Sequence, residues 1–329
     1  MLEGSVEPSS ARTYGSGLNK FLSYLSVVSI RLGIPIPSCQ SSGELRTLIS
    51  TRGVLEGFVA FCFQQNLGSK TADGYIDGLK YYASRLDGVP SIPGQLVVDK
   101  LLNGFTKLGK RPGPKKLGID SHLTRKLVAE LLNMKLSSYD CALWTVLFSI
   151  AFFGCFRVSE FLISRDYLKL LCPDKVVFRE DNDVEFLLNK TKNNTCGPVQ
   201  EVLFGALGDD PICPVSALKK FMSVRPSTSG SHPLFVNKRR IPISPKVFNA
   251  MLRLVLSRLG FDSIKRYSAK SFRVGASSEA FSLDLSPEEI KGLGRWNSDA
   301  FMVYIRSDVR AERARRTQAK LAGGRRIKT

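Results

Sequence analysis

The chain has 329 residues, 43% of them apolar, with 48 lysines and arginines against 29 acidic residues and a formal net charge of +19. That length supports two domains that each bury a core, and that charge concentrates polyanions, nucleic acid foremost, around the protein. Seven scattered cysteines without a Cys-x-x-Cys pair, and His122 and His232 as the only histidines, argue against a zinc centre and a disulfide framework.

The opening 17 residues have no apolar core and do not read as a secretory signal. A helix is expected to open near Ser10, with Tyr14, Leu18, Phe21, Leu22 and Leu25 as its apolar stripe. A Pro- and Ser-rich break covers 34–44, followed by helices near 51–65, 70–86 and 97–107. Composition then shifts: 109–118 holds two prolines, several glycines and the cations Lys110, Arg111, Lys115 and Lys116. Such a segment packs no core and reads as a basic linker between a helical domain, 1–108, and a second domain, 119–329. In the second domain, helices are expected at 124–132, 139–156, from 159 onward, and at 215–224, 245–259, 269–281, 287–293 and 298–307. Segments 175–178, 184–189 and 200–204 read as a small antiparallel sheet. The fold class is therefore mainly α with a small sheet. The run from Cys141 to Phe156 is too short to span a bilayer and reads as a buried helix, so a soluble protein without a membrane partner, in a reducing compartment, is expected. The last stretch, 306–329, carries nine basic residues against two acids; its first half suits a helix and its end disorder.

Three stretches stand out in order: Gly154-Cys-Phe-Arg-Val-Ser-Glu160, Tyr267-Ser-Ala-Lys-Ser-Phe-Arg-Val-Gly-Ala276, and Gly294-Arg-Trp-Asn-Ser-Asp-Ala-Phe-Met-Val-Tyr-Ile-Arg306. With a lysine between the first two, they resemble the tyrosine recombinases, and their wording resembles the eukaryotic DIRS-like and Crypton transposon branch. The resemblance spans nearly the whole chain and implies a helical DNA-clamping domain, the linker, and a catalytic domain that cuts and rejoins DNA through a 3′-phosphotyrosine. It implies Tyr304 as nucleophile, with Arg157, Arg273, Lys270 and Trp296 around the phosphate. Either Lys192 or Lys190 would be the general acid on the turn between the second and third strands. Lys192 is favoured by its spacing to Gly197.

The chemistry agrees with these types. A phosphodiester approaching a pentavalent state gains charge on its non-bridging oxygens, which two guanidinium groups hold through planar paired bonds. Lys270 precedes Arg273 by three residues, so both project from one helical face. Most of the family has histidine where Lys270 stands; lysine there acts as a clamp unless nearby cations lower its pKa. An indole at Trp296 offers one hydrogen bond and a packing face. A phenol with its pKa near ~10 attacks poorly, and crowding by Arg157, Arg273 and Lys270 would favour the phenolate. Read alone, the same residues leave other roles open: a helix-capping Arg157 paired with Glu160, a solvated Lys270, a core Trp296, and a half-buried tyrosine on an amphipathic helix.

Arg12, Thr13, Lys70, Thr71 and Tyr75, expected at helix starts, and the four linker cations form a DNA-binding set. Double-stranded DNA is the expected partner, and the resemblance implies a tetramer on two DNA sites, with the basic tail docked on a neighbouring protomer or on DNA. No P-loop or acidic metal cluster appears, which fits a reaction that stores bond energy in phosphotyrosine and needs no cofactor. The eukaryotic motif wording and Lys238-Arg-Arg240 suggest the nucleus, otherwise the cytoplasm. The alternatives are a type IB topoisomerase-like nicking-closing enzyme and a domesticated, non-catalytic DNA-binding protein.

Overall fold

The structure, a computed structural model, describes residues 8–35, 39, 41–84, 95–108, 116–163, 171–189, 198–227 and 229–321. The chain divides into two compact units, Met1–Gly113 and Pro114–Thr329, and the division falls inside the basic segment 109–118.

The first unit is helical: α1 (Pro8–Leu32), α2 (Ser42–Ser50), α3 (Val54–Gln64), α4 (Ser69–Ala83) and α5 (Gln95–Leu108). Phe21, Tyr24 and Leu25 of α1 bury against Phe58 and Val59 of α3 and Ile76 and Leu79 of α4. Phe21 meets Phe58 edge-on at 5.3 Å between ring centroids, a favoured aromatic geometry. Helix α2 lies partly inside what the sequence presents as a break. Its start is written in polar residues: Ser41 Oγ accepts from the Glu44 amide at 3.2 Å, and the Glu44 carboxylate accepts from the Ser41 amide at 3.0 Å. That reciprocal cap satisfies two helix-end donors, so a serine-rich stretch starts a helix.

The second unit holds α6 (Ser121–Asn133), α7 (Ser138–Phe153), the single turn α8 (Val158–Phe161), strands β1 (Val176–Phe178), β2 (Val184–Leu188) and β3 (Gln200–Phe204), then α9 (Pro214–Val224), α10 (Pro245–Arg258), α11 (Ala269–Ser282), α12 (Pro287–Gly294) and α13 (Ser307–Leu321). Helix α7 is the central element, apolar on nearly every side, with Tyr139, Ala142–Trp144 and Val146–Phe152 buried. Phe148 stacks on Phe272 of α11 at 5.7 Å and meets Phe248 of α10 edge-on at 5.7 Å, so one aromatic cluster ties three helices together. The sheet is antiparallel in the order β1-β2-β3. Phe186 pairs with Val202 and Val184 with Phe204, which puts the apolar face of β2 and β3 onto the core. No helix among the described residues is long and apolar enough to cross a membrane.

Three expectations are corrected. The helix expected at 139–156 stops at Phe153, because the Phe156 ring folds back over Gly154, where any Cβ would come within 2.4 Å of it. The helix expected from 159 onward is only the turn Val158–Phe161 among the described residues. The helix expected at 298–307 is a 3-10 segment, Asp299–Val303, that ends before α13 begins.

Helix α11 passes so close to the chain entering α6 that a Cβ at Gly275 would lie 1.7 Å from the Ile119 carbonyl oxygen, a backbone atom that cannot move aside cheaply. Gly275→Ala is therefore expected to destabilise the unit by about 1–3 kcal/mol. Gly292→Ala, on α12 with nothing within 4 Å of the new methyl, should stabilise it by about 0.5–1 kcal/mol. Denaturant unfolding of the two variants against the parent reads both signs.

Candidate active site

Arg273 is the centre of the second unit. It is 1% exposed, yet its guanidinium is bonded at both ends: Nη1 donates to the Cys155 carbonyl at 2.5 Å and Nη2 to the Gly294 carbonyl at 2.7 Å. Both acceptors lie on turns containing a non-glycine residue in left-handed conformation, Cys155 at φ 44° and Arg295 at φ 54°. Such backbone persists only where surrounding contacts enforce it. The flat face of the Arg273 guanidinium rests on the Trp296 ring, 3.9 Å from its centroid. Gly294 makes room for that indole, since a Cβ there would sit 1.7 Å from the ring. Burial first, then the Arg157 and Arg295 charges, hold the Arg273 pKa below the usual arginine value, against the raising influence of Cys155 and Glu160. The Arg273 Nε is buried without a partner among the described residues.

Tyr304 follows the 3-10 turn, half-buried, with its ring 5.4 Å from Trp296, 5.4 Å from the Arg273 guanidinium carbon and 5.1 Å from Lys270 Nζ. The turn is held by Ser278 of α11, whose hydroxyl donates to the Tyr304 carbonyl at 3.2 Å and accepts from the Arg306 amide at 3.1 Å. These two bonds bring the segment past the phenol back onto the helix that carries Lys270 and Arg273, which is why the expected helix is interrupted. Lys270, exposed at the start of α11, and Arg273, one turn on, both reach the same tyrosine.

Arg157 does not end α7. It caps α8, four residues beyond, and joins the cluster through Glu160. Glu160 is 2% exposed and divides its oxygens: Oε1 accepts from Arg157 Nη1 at 2.8 Å, and Oε2 accepts from Arg295 Nη2 at 2.8 Å and the Arg157 amide at 2.9 Å. Arg295 also donates to the Gly154 carbonyl at 2.9 Å. Burial opposes the charge on Glu160, but Arg295 and then Arg157 overcome it and hold its carboxyl below the usual range. Burial pushes the enclosed Cys155 thiol up to about 11, so it stays protonated at neutral pH.

No protein-family model matches the sequence, and no curated protein matches it. Solved structures match its shape. The XerH site-specific recombinase bound to palindromic difH substrate, in a post-cleavage complex, superposes with a TM-score of 0.62 at 15% identity, covering 94% of this chain and 78% of that one. The Tn1549 transposon integrase in complex with transposon right-end DNA gives 0.56 at 11% identity, covering 96% of each chain. A lambda integrase dimer bound to a COC′ core site gives 0.51 at 12%, covering 92% of this chain and 73% of that one. The fold is that of the tyrosine recombinases.

Within this recombinase fold the remaining expected residues fall in three groups. Lys190 and Lys192 lie between β2 and β3, outside the described residues, as do Lys110, Arg111 and Lys115. Lys116 donates to the Lys265 carbonyl at 2.8 Å, beside the approach to α11. In the first unit, Arg12 and Thr13 stand in the second turn of α1, not at its start, because the helix opens at Pro8; they have left the free amides of the helix end behind. Lys70 and Thr71 occupy the first turn of α4, with Tyr75 in the second. Helices α1 and α4 pack together, with Tyr14 against Tyr81 at 5.2 Å and Thr13 beside Gly74, next to Tyr75. Glu160 was expected only as a partner for Arg157, and Arg295, Cys155 and Ser278 were not expected at the site. Charged residues at Glu160 and Arg295, within or beside apolar motifs, were the available signal.

Because the folded pKa of Glu160 lies below the unfolded value of 4.5, its contribution to stability is fully present above pH 4.5 and is lost as pH falls through the folded value. Glu160→Gln strands the buried Arg295 charge and is expected to cost about 3–5 kcal/mol at neutral pH. That difference from the parent should shrink as the pH drops below 4.5. Urea unfolding of both proteins across that range reads it; a gap that widens toward acid would contradict the assignment.

Proposed function

We propose that this chain is a site-specific DNA recombinase, the integrase of a mobile element, in which Tyr304 attacks a backbone phosphorus. The observation that carries the reading is the meeting of Lys270, Arg273 and Trp296 on the Tyr304 ring, with Arg157 coupled to Arg273, inside a fold shared with recombinases and integrases. The phenol gives its proton to solvent as its oxygen bonds to phosphorus, and the bond from phosphorus to the 5′ oxygen breaks and that oxygen takes up a proton. A 3′-phosphotyrosine holds the strand until a 5′ hydroxyl, losing its own proton, displaces the tyrosine, which is reprotonated. Bond energy is conserved in that ester. Arg157 and Arg273 carry the charge that develops on the non-bridging oxygens. Arg273 uses two of its five N–H groups on carbonyls and has others left for phosphate.

Lys270 stabilises the charge that develops at the phenol oxygen, and Lys192 or Lys190 protonates the leaving 5′ oxygen. Trp296 sets the plane of Arg273 and the edge of the tyrosine. Arg12, Thr13, Lys70, Thr71, Tyr75, Lys110, Arg111, Lys115 and Lys116 grip the duplex backbone, which the net charge of +19 supports. The finer reading, a eukaryotic DIRS-like or Crypton-like element whose enzyme works in the nucleus as a tetramer on paired DNA sites, rests on the wording of the motifs.

Incubation with a nicked suicide duplex should trap a covalent protein–DNA adduct that survives denaturant. Tyr304→Phe should form none while still binding DNA, and Lys270→Ala should slow its formation by about 100-fold or more. An undiminished adduct in Tyr304→Phe would overturn the proposal. Recombinant products from paired sites separate it from a nicking-closing enzyme.

Ser278→Ala removes both bonds to the tyrosine segment and leaves the Arg306 amide without that acceptor, at a cost of about 1–3 kcal/mol. Adduct formation should slow while DNA affinity stays at the parent value, which a filter-binding assay run beside the suicide substrate measures.

A further inference from the structure

Three consecutive cations, Lys238, Arg239 and Arg240, stand exposed at the tip of a hairpin that the proposed reaction does not use. The hairpin is closed by its own hydrogen bonds. Asn237 Oδ1 accepts from the amides of Arg239 and Ile241, each at 2.9 Å. The Asn237 amide donates to the Ile241 carbonyl at 2.9 Å, and the Arg240 amide donates to the Asn237 carbonyl at 2.8 Å. A bridge from Val236 to Pro242 closes the base. Arg240 sits at φ 61°, a left-handed position that glycine fills at least cost, so the sequence spends backbone strain on a cation there. Among the described residues no carboxylate lies within ion-pairing distance of the three.

The flanks of this hairpin pack against the turn that Arg157 caps. The Ile243 carbonyl accepts from the Ile163 amide, two residues past the helical turn that Arg157 caps, and Phe235 meets Phe161 of that turn at 6.5 Å. Ser244 caps α10, whose Asn249 side chain accepts from the Ala269 amide at the head of α11, next to Lys270. A short lysine-arginine run serves either as an import signal or as a nucleic-acid patch. An import signal is read as a segment free to extend, and residues 237–241 cannot extend without breaking the bonds of the turn. A phosphate backbone, in contrast, rewards cations fixed on a rigid mount, because their ordering has been met in folding.

We propose that the hairpin tip Lys238-Arg239-Arg240 is a preorganised contact to the phosphate backbone of the DNA duplex held at the Tyr304 site, and not a targeting signal. This rests on the reading of the protein as a DNA recombinase and adds a contact to it. The test uses the full chain carrying Tyr304→Phe, so that binding is scored without cleavage, with a linear duplex of random sequence titrated over a range of salt.

Removing one cation from a phosphate lowers the slope of log affinity against log salt by about 0.9, so neutralising all three to alanine should lower it by about two to three. Asn237→Ala, which loosens the turn and keeps the charge, should weaken binding at low salt. A slope and an affinity unchanged by the triple substitution would overturn the proposal, and loss of nuclear accumulation of a fluorescent fusion in that case would assign the tip to import. Failure of the Tyr304→Phe protein itself to bind DNA would instead strike the recombinase reading.

Discussion

A guanidinium sealed inside the second unit sets the terms for everything around it. Taking such a charge from water costs roughly several kcal/mol unless good geometry returns it. Arg273 recovers that cost from two carbonyls and an indole face. Each carbonyl belongs to a different turn, one after α7 and one at the end of α12. The arginine therefore fixes two backbone segments as well as its own position. Backbone strain at Cys155 and Arg295 is the visible counterpart, since Cys155 itself and Gly294, the residue before Arg295, present oxygen to the cation.

Glu160 extends the same logic outward. One buried carboxylate serves two arginines, and Arg295 turns back from the tyrosine side to meet it and the Gly154 carbonyl. Arg157 is thereby held at one end by a pair that solvent scarcely reaches, while its side chain remains partly open. Like charges gathered this closely repel, and Arg157 and Arg295 add to the burial that holds the Arg273 pKa down. A single anion placed among them relieves part of that repulsion, and a phosphate would relieve more. An excess of positive charge of this kind suits the phosphodiester chemistry proposed for the site.

The tyrosine is placed by different means. A serine on α11 grips the chain on either side, a tilted tryptophan supports the ring, and Lys270 and Arg273 lie over its face without an ion pair. Short-range bonds of this kind open more readily than a buried ion cluster, because each contributes only about 1 kcal/mol. The Tyr304 ring therefore stands on the more adjustable part of a rigid frame, which suits the nucleophile role proposed for it.

The amphipathic helices, the three strands, the basic segment and the residue types of the site were legible in the sequence, because periodicity, turn residues and charge runs are local signals. The motifs named Arg157, Lys270, Arg273, Trp296 and Tyr304 without a structure. What tertiary structure alone decided is how these are held. Helix α2 was hidden because its start is a polar cap in a serine-rich stretch, and the interruption before α13 because it depends on Ser278, some 26 residues away from Tyr304. Sharing of Glu160 joins residues 135 positions apart, and the carbonyls that receive Arg273 lie 118 and 21 positions from it. Such partners meet only once the helices pack, since a backbone carbonyl has no identity in a sequence and a carboxylate does not announce which arginine it will face.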